Sequence, residues 1–205
     1  MPESGTAMTA ASPMKAIAQG LGIQDQRIVD ALCEASTMQR FSKGSTILAR
    51  GHVPASIPFV TAGIARSYFY TEQGEDVTSC IIDRPSMPAI TTADLTAPSI
   101  EAVEALTDCE TLMLDIRALR RLMESSIDAL LVYAKVVGDA WASQRTLRFV
   151  TSRMSARQRY LWFLDEYPGV IDEIAHRHVA SFLSMTPVTL ARVRRGLANE
   201  AHDSN

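Results

Sequence analysis

The sequence has few of the residues that a covalent framework or a membrane anchor requires. Its three cysteines, Cys33, Cys80 and Cys109, are widely separated and odd in number, which argues against a disulfide framework and fits reduced thiols. No apolar run reaches the roughly 18 residues that span a bilayer. The N-terminus lacks the basic and apolar regions of a secretory signal. The sequence therefore predicts a cytoplasmic protein with no membrane partner.

Motifs of the common enzyme classes are also missing. The sequence shows no Ser-His-Asp order, no paired carboxylates, no phosphate-binding Walker loop and no dinucleotide fingerprint. His176 and His178 lie two residues apart, so they cannot share one helix face and hold a metal together. The ordinary explanation for both is a polar side chain at the protein surface. We therefore expect no enzymatic activity, no metal site and no cofactor.

What is present is enough apolar sequence for a folded core, together with an uneven charge distribution. The 205 residues are 47% hydrophobic and carry a net charge of −3. Residues 1–143 hold 11 basic and 17 acidic side chains, whereas residues 144–197 hold nine basic and four acidic ones. A basic module after an acidic one indicates two tasks, one of them contact with nucleic acid. A solvated arginine face would give the same asymmetry.

The first half of the chain predicts an antiparallel β-roll. Glycines at positions 44, 51, 63 and 74 separate short runs of β-forming residues, a pattern typical of a roll or jelly roll. The predicted strands are Ser45–Ala49, Ile57–Thr61, Ile64–Tyr70, Val77–Ile82, Glu101–Ala105 and Thr111–Asp115. A helix is predicted at residues 24–36, and residues 1–20 are expected to be a flexible arm. With the helices that follow, the fold class is α+β.

A long helix is predicted at Ile127–Phe149, after a short one at Arg117–Glu124. Its apolar residues recur at spacings of three and four, which gives the helix one apolar side. We expect this stripe to pair with a second copy of the chain; the alternative is a helix that packs on its own roll. The expected dimer residues are Ile127, Leu130, Leu131, Ala134, Val137, Gly138 and Trp141.

The segment Ala175–Leu197 predicts two short helices joined by a tight turn, after a further helix at Ala156–Glu166. Thr186 offers an N-cap hydroxyl, and Pro187 suits the first helical position. The buried positions are expected to be Val179, Ala180 and Leu183 in the first helix, and Leu190, Val193 and Leu197 in the second. Thr189, Arg192 and Arg195 fall on the opposite side. A small helix with threonine and arginine on its free face can enter a DNA major groove.

Roll, long helix and helix-turn-helix together resemble the Crp/Fnr family of bacterial transcription regulators, from about Phe41 to Leu197. The C-terminal stretch is similar to a branch of that family with a short C-terminus. The resemblance implies an arm at residues 1–20, a sensor roll at 21–125, a dimerisation helix at 126–150 and a DNA-binding domain at 151–205. It also implies a homodimer on a palindromic operator in double-stranded DNA, with RNA polymerase as a further partner.

The same resemblance assigns the second helix of the pair to base reading and the start of the first helix to phosphate contact. The residues so assigned are His176, Arg177, Thr186, Pro187, Val188, Thr189, Arg192 and Arg195. Two positions depart from the family pattern. Val188 stands where an acidic residue usually accepts from cytosine, so it can only touch a thymine methyl. Ser184 stands where the turn usually has glycine.

The ligand site of the family's cyclic-nucleotide branch is not matched. That branch holds the phosphate with a Gly-Glu-Leu turn and an arginine followed by serine or threonine. Here no glycine occurs between Gly74 and Gly138, the only arginine in the matching region is Arg84, and Pro85 follows it. Prolines in this region also remove backbone donors. We therefore expect no cyclic nucleotide by the usual route; the roll binds another small effector or none.

These observations predict a dimeric, sequence-specific DNA-binding regulator with a β-roll effector domain. The rival hypothesis is a small-ligand sensor or interaction module in which the two-helix unit merely packs and binds no DNA. A small-ligand carrier built on the roll is a second rival. A sequence preference for DNA would separate the first hypothesis from both.

Overall fold

The predicted roll consists of two antiparallel sheets. The computed structural model describes residues 10–85 and 87–203. In this part of the chain the strands are β1 (Ser36–Phe41), β2 (Thr46–Leu48), β3 (Ser56–Ala62), β4 (Ala65–Tyr70), β5 (Asp76–Ile82), β6 (Ala102–Ala105) and β7 (Cys109–Asp115). One sheet has the order β1-β7-β3, and the other has the order β2-β6-β4-β5. Val60 and Cys109 from the first sheet meet Ile82 and Val103 from the second in a shared core.

The β3–β4 turn shows why one of the predicted glycines is required. Gly63 has a φ of +86°, in the left-handed region that glycine adopts without strain. A Cβ at this position would lie 2.2 Å from the backbone oxygen of Asp108, closer than any side chain tolerates. The turn before β7 therefore lies directly against this one, and the two sheets are joined tightly at that end.

Helices flank the roll on both sides in sequence. They are α1 (Ala11–Gly20), α2 (Gln26–Glu34), α3 (Ile116–Ser125), α4 (Ile127–Arg153), α5 (Ala156–Glu166), α6 (Val170–Glu173), α7 (His176–Phe182) and α8 (Pro187–Asp203). Side chains fix several of their starts: Ser126 caps α4, and Ser155 with Gln158 forms a capping box on α5. None of the described helices is both long enough and apolar enough to cross a membrane.

Two sequence-based expectations are corrected, and two elements appear that the sequence did not predict. The flexible arm expected at residues 1–20 is wrong for residues 11–20, because α1 buries Met14, Ile17 and Ala18 against α2 and the roll. Residues 1–9 lie outside the described part of the chain. The helix predicted at 24–36 ends at Glu34, and Ser36 already begins β1, a strand that the glycine spacing did not reveal. The short α6 was also not predicted.

The C-terminal helices share a core with the outside of the roll. Phe163, Val179 and Leu183 are fully buried at its centre. Ile64 and Ile81 of the roll belong to the same cluster. The helix-turn-helix unit is therefore packed on the four-stranded sheet. This buried apolar contact fixes the position of the unit relative to the roll in this structure.

Candidate nucleic-acid interface

The turn between α7 and α8 is closed by two backbone hydrogen bonds. Ser184 N donates to Ser181 O over 3.0 Å, and Met185 N donates to Ala180 O over 2.9 Å, the bond pair of a Schellman motif. Ser184 has a φ of 52° and is the one non-glycine residue with positive φ among those described. A Cβ in this conformation costs roughly 1 kcal/mol. The serine therefore adopts the left-handed geometry for which glycine is usual, as the departure from the family pattern predicted.

Arg159 of α5 stabilises this turn from below. Its Nη1 donates to the backbone oxygens of Leu183 over 2.7 Å and Ser184 over 2.9 Å. Both carbonyls lie at the end of α7, where the backbone has no further helical partner. A charged donor to such a group is worth about 1.5–3 kcal/mol. Arg159 thus holds the angle between the two helices, a role that no sequence pattern distinguished from those of the neighbouring arginines.

The start of α8 has the predicted cap. Thr186 Oγ1 accepts from the backbone N–H of Thr189 over 3.1 Å, and the hydroxyls of Thr186 and Thr189 are 3.0 Å apart. Pro187 occupies the first helical position, where its missing N–H is not needed. The cap fixes the direction in which the first turn of α8 leaves the protein.

The two sides of α8 are arranged as the spacing predicted, except that Thr189, expected on the free side, is half-buried. Leu190 is buried, and Val193 and Leu197 pack against the same core. On the other side Val188 is 77% exposed, and Arg192 and Arg195 are exposed as well. The hydroxyl of Thr189 contacts the cap. One face of α8 is therefore available for a partner, and it carries two guanidinium groups and an apolar side chain.

The start of α7 adds basic groups beside this face. His176 and Arg177 are exposed. The guanidinium of Arg194, on α8, contacts the His176 ring, with Nη1 2.9 Å from Nδ1 and 2.8 Å from Nε2. The contact ties the first residue of α7 to the middle of α8 and adds an arginine that the sequence pattern did not single out. The negative charge of DNA phosphates would be attracted to this cluster.

His178 behaves differently from its neighbour, and the expectation of a surface position is wrong for it. Its side chain is 3% exposed, because α7 packs on β5. Arg66 lies close to it and donates to Asp76 Oδ2 over 2.6 Å and to Glu104 Oε2 over 2.9 Å. Further along α7, the hydroxyl of Ser181 accepts from the backbone N–H of Thr78 over 3.0 Å. The first helix of the pair is therefore fastened to the roll by polar as well as apolar contacts.

The long helix α4 exposes the side that the sequence assigned to dimerisation. Its opposite side packs on the protein and buries Ala129, Val136 and Val150. Ile127 is 73% exposed and Trp141 is 62% exposed. Of the remaining predicted dimer residues, Leu130, Leu131, Ala134 and Gly138 are exposed and Val137 is half-buried. The apolar stripe is therefore largely unused by the roll of the same chain, which argues against the alternative that it packs there.

A cavity of about 810 Å³ lies where the roll, α4 and the C-terminal helices meet. Its wall includes Ser79 and Glu101 from the roll, Trp141 from α4, and Trp162 and Phe182 from α5 and α7. The volume is within the range of about 300–1,000 Å³ for small-molecule sites. Any molecule held there would contact both the roll and the helix-turn-helix unit.

Comparisons with known proteins agree with this architecture. Residues 38–126 match the family of the cyclic nucleotide-binding domain. FixK2 from Bradyrhizobium japonicum superposes with a TM-score of 0.70 at 15% identity, covering 81% of this chain and 86% of that one. A transcriptional regulator of the CRP family from Thermus thermophilus, TTHB099, gives 0.63 at 18% identity, with 80% and 85% covered. No curated protein sequence is significantly similar. The chain has the Crp/Fnr fold.

The Crp/Fnr fold extends over both halves of the chain. A CooA variant from Carboxydothermus hydrogenoformans superposes with a TM-score of 0.63 at 16% identity, covering 90% of this chain and 84% of that one. The family match begins inside β1 and ends at Ser126, immediately before α4. It therefore contains most of the roll and α3, whereas α1 and α2 precede the matched range and pack against the roll.

Within the Crp/Fnr fold, the segment that would hold a cyclic phosphate lacks the phosphate-binding residues of the nucleotide-binding branch. Arg84 is the only arginine between β5 and β6. Its guanidinium donates to Asp83 Oδ1 over 3.1 Å and to the backbone oxygen of Glu166 over 2.7 Å. These contacts direct it toward the end of α5. The residues of this segment therefore do not fit a cyclic phosphate in the manner of the nucleotide-binding branch.

The buried His178 predicts a pH-dependent stability. Burial and the nearby positive charges of Arg66 and Arg177 lower the pKa of His178 to about 4 from its ordinary value of 6.5. The negative charges of Asp76 and Glu104 act in the opposite direction but do not offset this decrease. The unfolded chain therefore takes up a proton between pH 6.5 and 4 that the folded chain does not, so stability falls as pH falls through this window. Because the side chain is buried, the full effect would amount to about 3 kcal/mol at 1.36 kcal/mol per pKa unit.

The variant His178→Asn should flatten the pH profile between pH 6.5 and 4, measured as urea midpoints at several pH values. His176→Asn, which changes an exposed imidazole two residues away, is the matched control and should leave the profile as it is. The lowered pKa of Asp76 acts in the same direction but below pH 4, so it does not imitate the effect. A profile that keeps its slope in His178→Asn would contradict this assignment.

Proposed function

We propose that the chain is a dimeric, sequence-specific DNA-binding transcription regulator whose recognition helix is α8. The observation that carries the proposal is the capped start of α8, which leaves Val188, Arg192 and Arg195 on an exposed face while Leu190 is buried beneath. Guanidinium groups on such a face match guanine edges and phosphates. His176 and Arg177 would contact phosphate at the start of α7, as the resemblance implies.

The apolar stripe of α4 is proposed to pair with a second copy of the chain. Its exposed residues, from Ile127 to Trp141, recur with the spacing of a two-helix seam, and the opposite side of the helix is already covered. Gly138 lies in this stripe, and a Cβ there would meet nothing within 4 Å in the single chain. Glycine within a helix is unfavourable by about 1 kcal/mol. A close approach of a partner helix gives a reason for its presence.

Pairing through α4 would relate the two α8 helices by a two-fold axis. Two recognition helices so related read a palindrome whose half-sites are about 34 Å, or one helical turn, apart. Such a regulator would act in the cytoplasm, with RNA polymerase as a further partner. An effector bound against α4 would regulate DNA binding only if it had a higher affinity for one arrangement of the roll and the helix-turn-helix unit than for the other.

Selection of bound sequences from a random double-stranded DNA pool tests this function. We expect enrichment of a palindrome with half-sites roughly one turn apart, and binding that weakens steeply with salt. Enrichment of an unpaired half-site would remove the dimer from the proposal. Binding with no sequence preference would favour the sensor or interaction module without DNA function.

A further inference from the structure

The cavity beneath α4 has a composition that points to a particular ligand chemistry, if the function proposed above holds. Its wall combines three parts of the molecule: polar groups of the roll, the inner side of α4, and aromatic rings of α5 and its neighbours. The volume of about 810 Å³ accommodates a small organic molecule. The chemistry of that molecule depends on which charged groups of the wall lack an oppositely charged partner and on which apolar side chains line the cavity.

The basic groups at the cavity are already occupied by acidic partners. The guanidinium of Arg84 lies 3.1 Å from Asp83 Oδ1 and 3.4 Å from Glu166 Oε1. Lys135 Nζ lies 2.5 Å from Asp139 Oδ2 on the next turn of α4. An anionic ligand would have to displace these carboxylates before it could use either cation. The cavity therefore offers little to a phosphate.

One acidic group at the cavity, in contrast, has no basic partner in the part of the chain that the structure describes. Glu101, just before β6, faces no Lys, Arg or His within 4 Å among the described residues, although it lines the same space as Ser79. Burial raises the pKa of its carboxyl above the usual value, which reflects the absence of a compensating cation. A protonated amine entering the cavity would supply that cation and form a charge-assisted hydrogen bond.

Aromatic rings line the part of the cavity that belongs to the C-terminal helices. Trp162 stacks on Phe182 with ring centroids 6.3 Å apart, and Tyr167 meets Phe182 edge-on at 5.5 Å. Rings in such an arrangement favour another flat, apolar or aromatic body. The wall thus favours a molecule with an aromatic part as well as a cationic end.

We propose that this cavity binds a small aromatic amine, whose ammonium group pairs with Glu101 and whose ring lies among Trp162, Tyr167 and Phe182. The ligand would contact the roll through Glu101 and the helix-turn-helix unit through the aromatic rings. Such a ligand stabilises the arrangement in which Glu101 of the roll and the aromatic rings of the C-terminal helices face each other. The ligand concentration would therefore affect the orientation of α8 relative to the roll. A cyclic nucleotide would instead bring its negative charge to an uncompensated carboxylate.

Matched pairs of probes test the charge preference on the full chain. Tryptamine and phenethylamine carry an amine, and indole-3-acetate and phenylacetate present the same rings on a carboxylate; cyclic AMP is the fifth probe. Thermal unfolding and isothermal titration calorimetry should show binding of at least one amine with a dissociation constant below about 1 mM, and weaker or no binding of its acid counterpart. The variant Glu101→Gln should weaken the amine affinity by about 10-fold or more, since hydrogen bonds to charged groups are worth about 1.5–3 kcal/mol.

Three outcomes would overturn the inference: neither amine binds, an acid or cyclic AMP binds more tightly than the amines, or Glu101→Gln binds the amine as well as the parent chain does. The unfolding temperature of unliganded Glu101→Gln shows whether that variant is folded. DNA selection with the same variant separates the two proposals. A selected palindrome without amine binding removes only the ligand class, whereas amine binding without sequence preference removes only the DNA-binding function.

Discussion

Replacing Arg192 by alanine should weaken binding to the selected palindrome by about 100-fold or more, while the protein stays folded and dimeric. The side chain is exposed on the free face of α8 and lies on the same side as Val188, one turn earlier. A bidentate arginine contact to a base pair is worth about 1–3 kcal/mol, and a dimer would lack two of them. Fluorescence anisotropy with the selected duplex measures the change in affinity.

Arg157→Ala is the matched control, because it removes the same charge from the same domain. Arg157 lies at the start of α5 and pairs with Glu200, near the far end of α8. That end is about 20 Å from the capped start of α8 at 1.5 Å per residue. An exposed ion pair contributes about 0–1 kcal/mol, so the control should be stable and should bind the palindrome almost normally.

The salt dependence of the two variants distinguishes base reading from phosphate contact. If Arg192 reads a base, Arg192→Ala relaxes specificity at one position of each half-site. If it contacts phosphate, affinity falls for all sequences, and the salt slope decreases by about one for each phosphate that is no longer neutralised. Unchanged affinity for the palindrome would instead show that α8 does not face DNA at this residue, and the recognition assignment would fall with it.

Strands β2 to β7 and helix α8 could be predicted because their signals are local. Gly63 marks a turn that only glycine can occupy, and Thr186 with Pro187 marks a helix start. The buried and exposed sides of α8 follow from residue spacing alone. Predictions of this kind depend on periods of two or about 3.6 residues, which the sequence displays without any knowledge of the tertiary structure.

The residues that were missed act over long distances in the chain. Arg159 binds carbonyls 24 and 25 residues away, and His178 is buried because α7 lies on β5, which is about 100 residues earlier. Nothing in the spacing of arginines or histidines indicates these partners. The α1 helix was missed for a similar reason, since its small and polar composition looks like an arm until its partners in α2 and the roll are known.

The contacts of α7 connect the helices proposed to face DNA to the roll and to the cavity beside it. Ser181 and His178 lie against β5, and β5 also contributes Ser79 and Cys80 to the cavity wall. On the other side of the same cavity, Gln144 of α4 donates to the backbone oxygen of Ser79 over 3.3 Å. One strand thus contacts α7 and the proposed dimer helix, and it also lines the cavity proposed for the ligand. A ligand that shifts β5 would therefore act on both features that determine the spacing of the two α8 helices.

Leu131→Glu should convert the protein to a monomer without unfolding it. Leu131 is 61% exposed in the single chain, so the substitution removes little buried surface there, and glutamate is a good helix former. In a paired seam, however, two carboxylates would be buried near each other without a partner cation, at a penalty of several kcal/mol. Sedimentation velocity would show the loss of the dimer, and thermal unfolding at low protein concentration would show a fold that is unchanged.

Ala16→Glu provides the control for added charge, because Ala16 is an exposed position on α1, a different helix from the one that carries the stripe. It should remain dimeric and bind the palindrome normally. The DNA affinity of Leu131→Glu then tests how far recognition depends on dimerisation. A monomer has one α8, so it should bind a single half-site with the affinity of one protomer. It should lack the additional affinity for the palindrome that comes from linking two binding sites. A Leu131→Glu protein that is still dimeric would mean that α4 is not the seam. The exposed stripe and Gly138 would then need a different partner, and the predicted half-site spacing would have no basis.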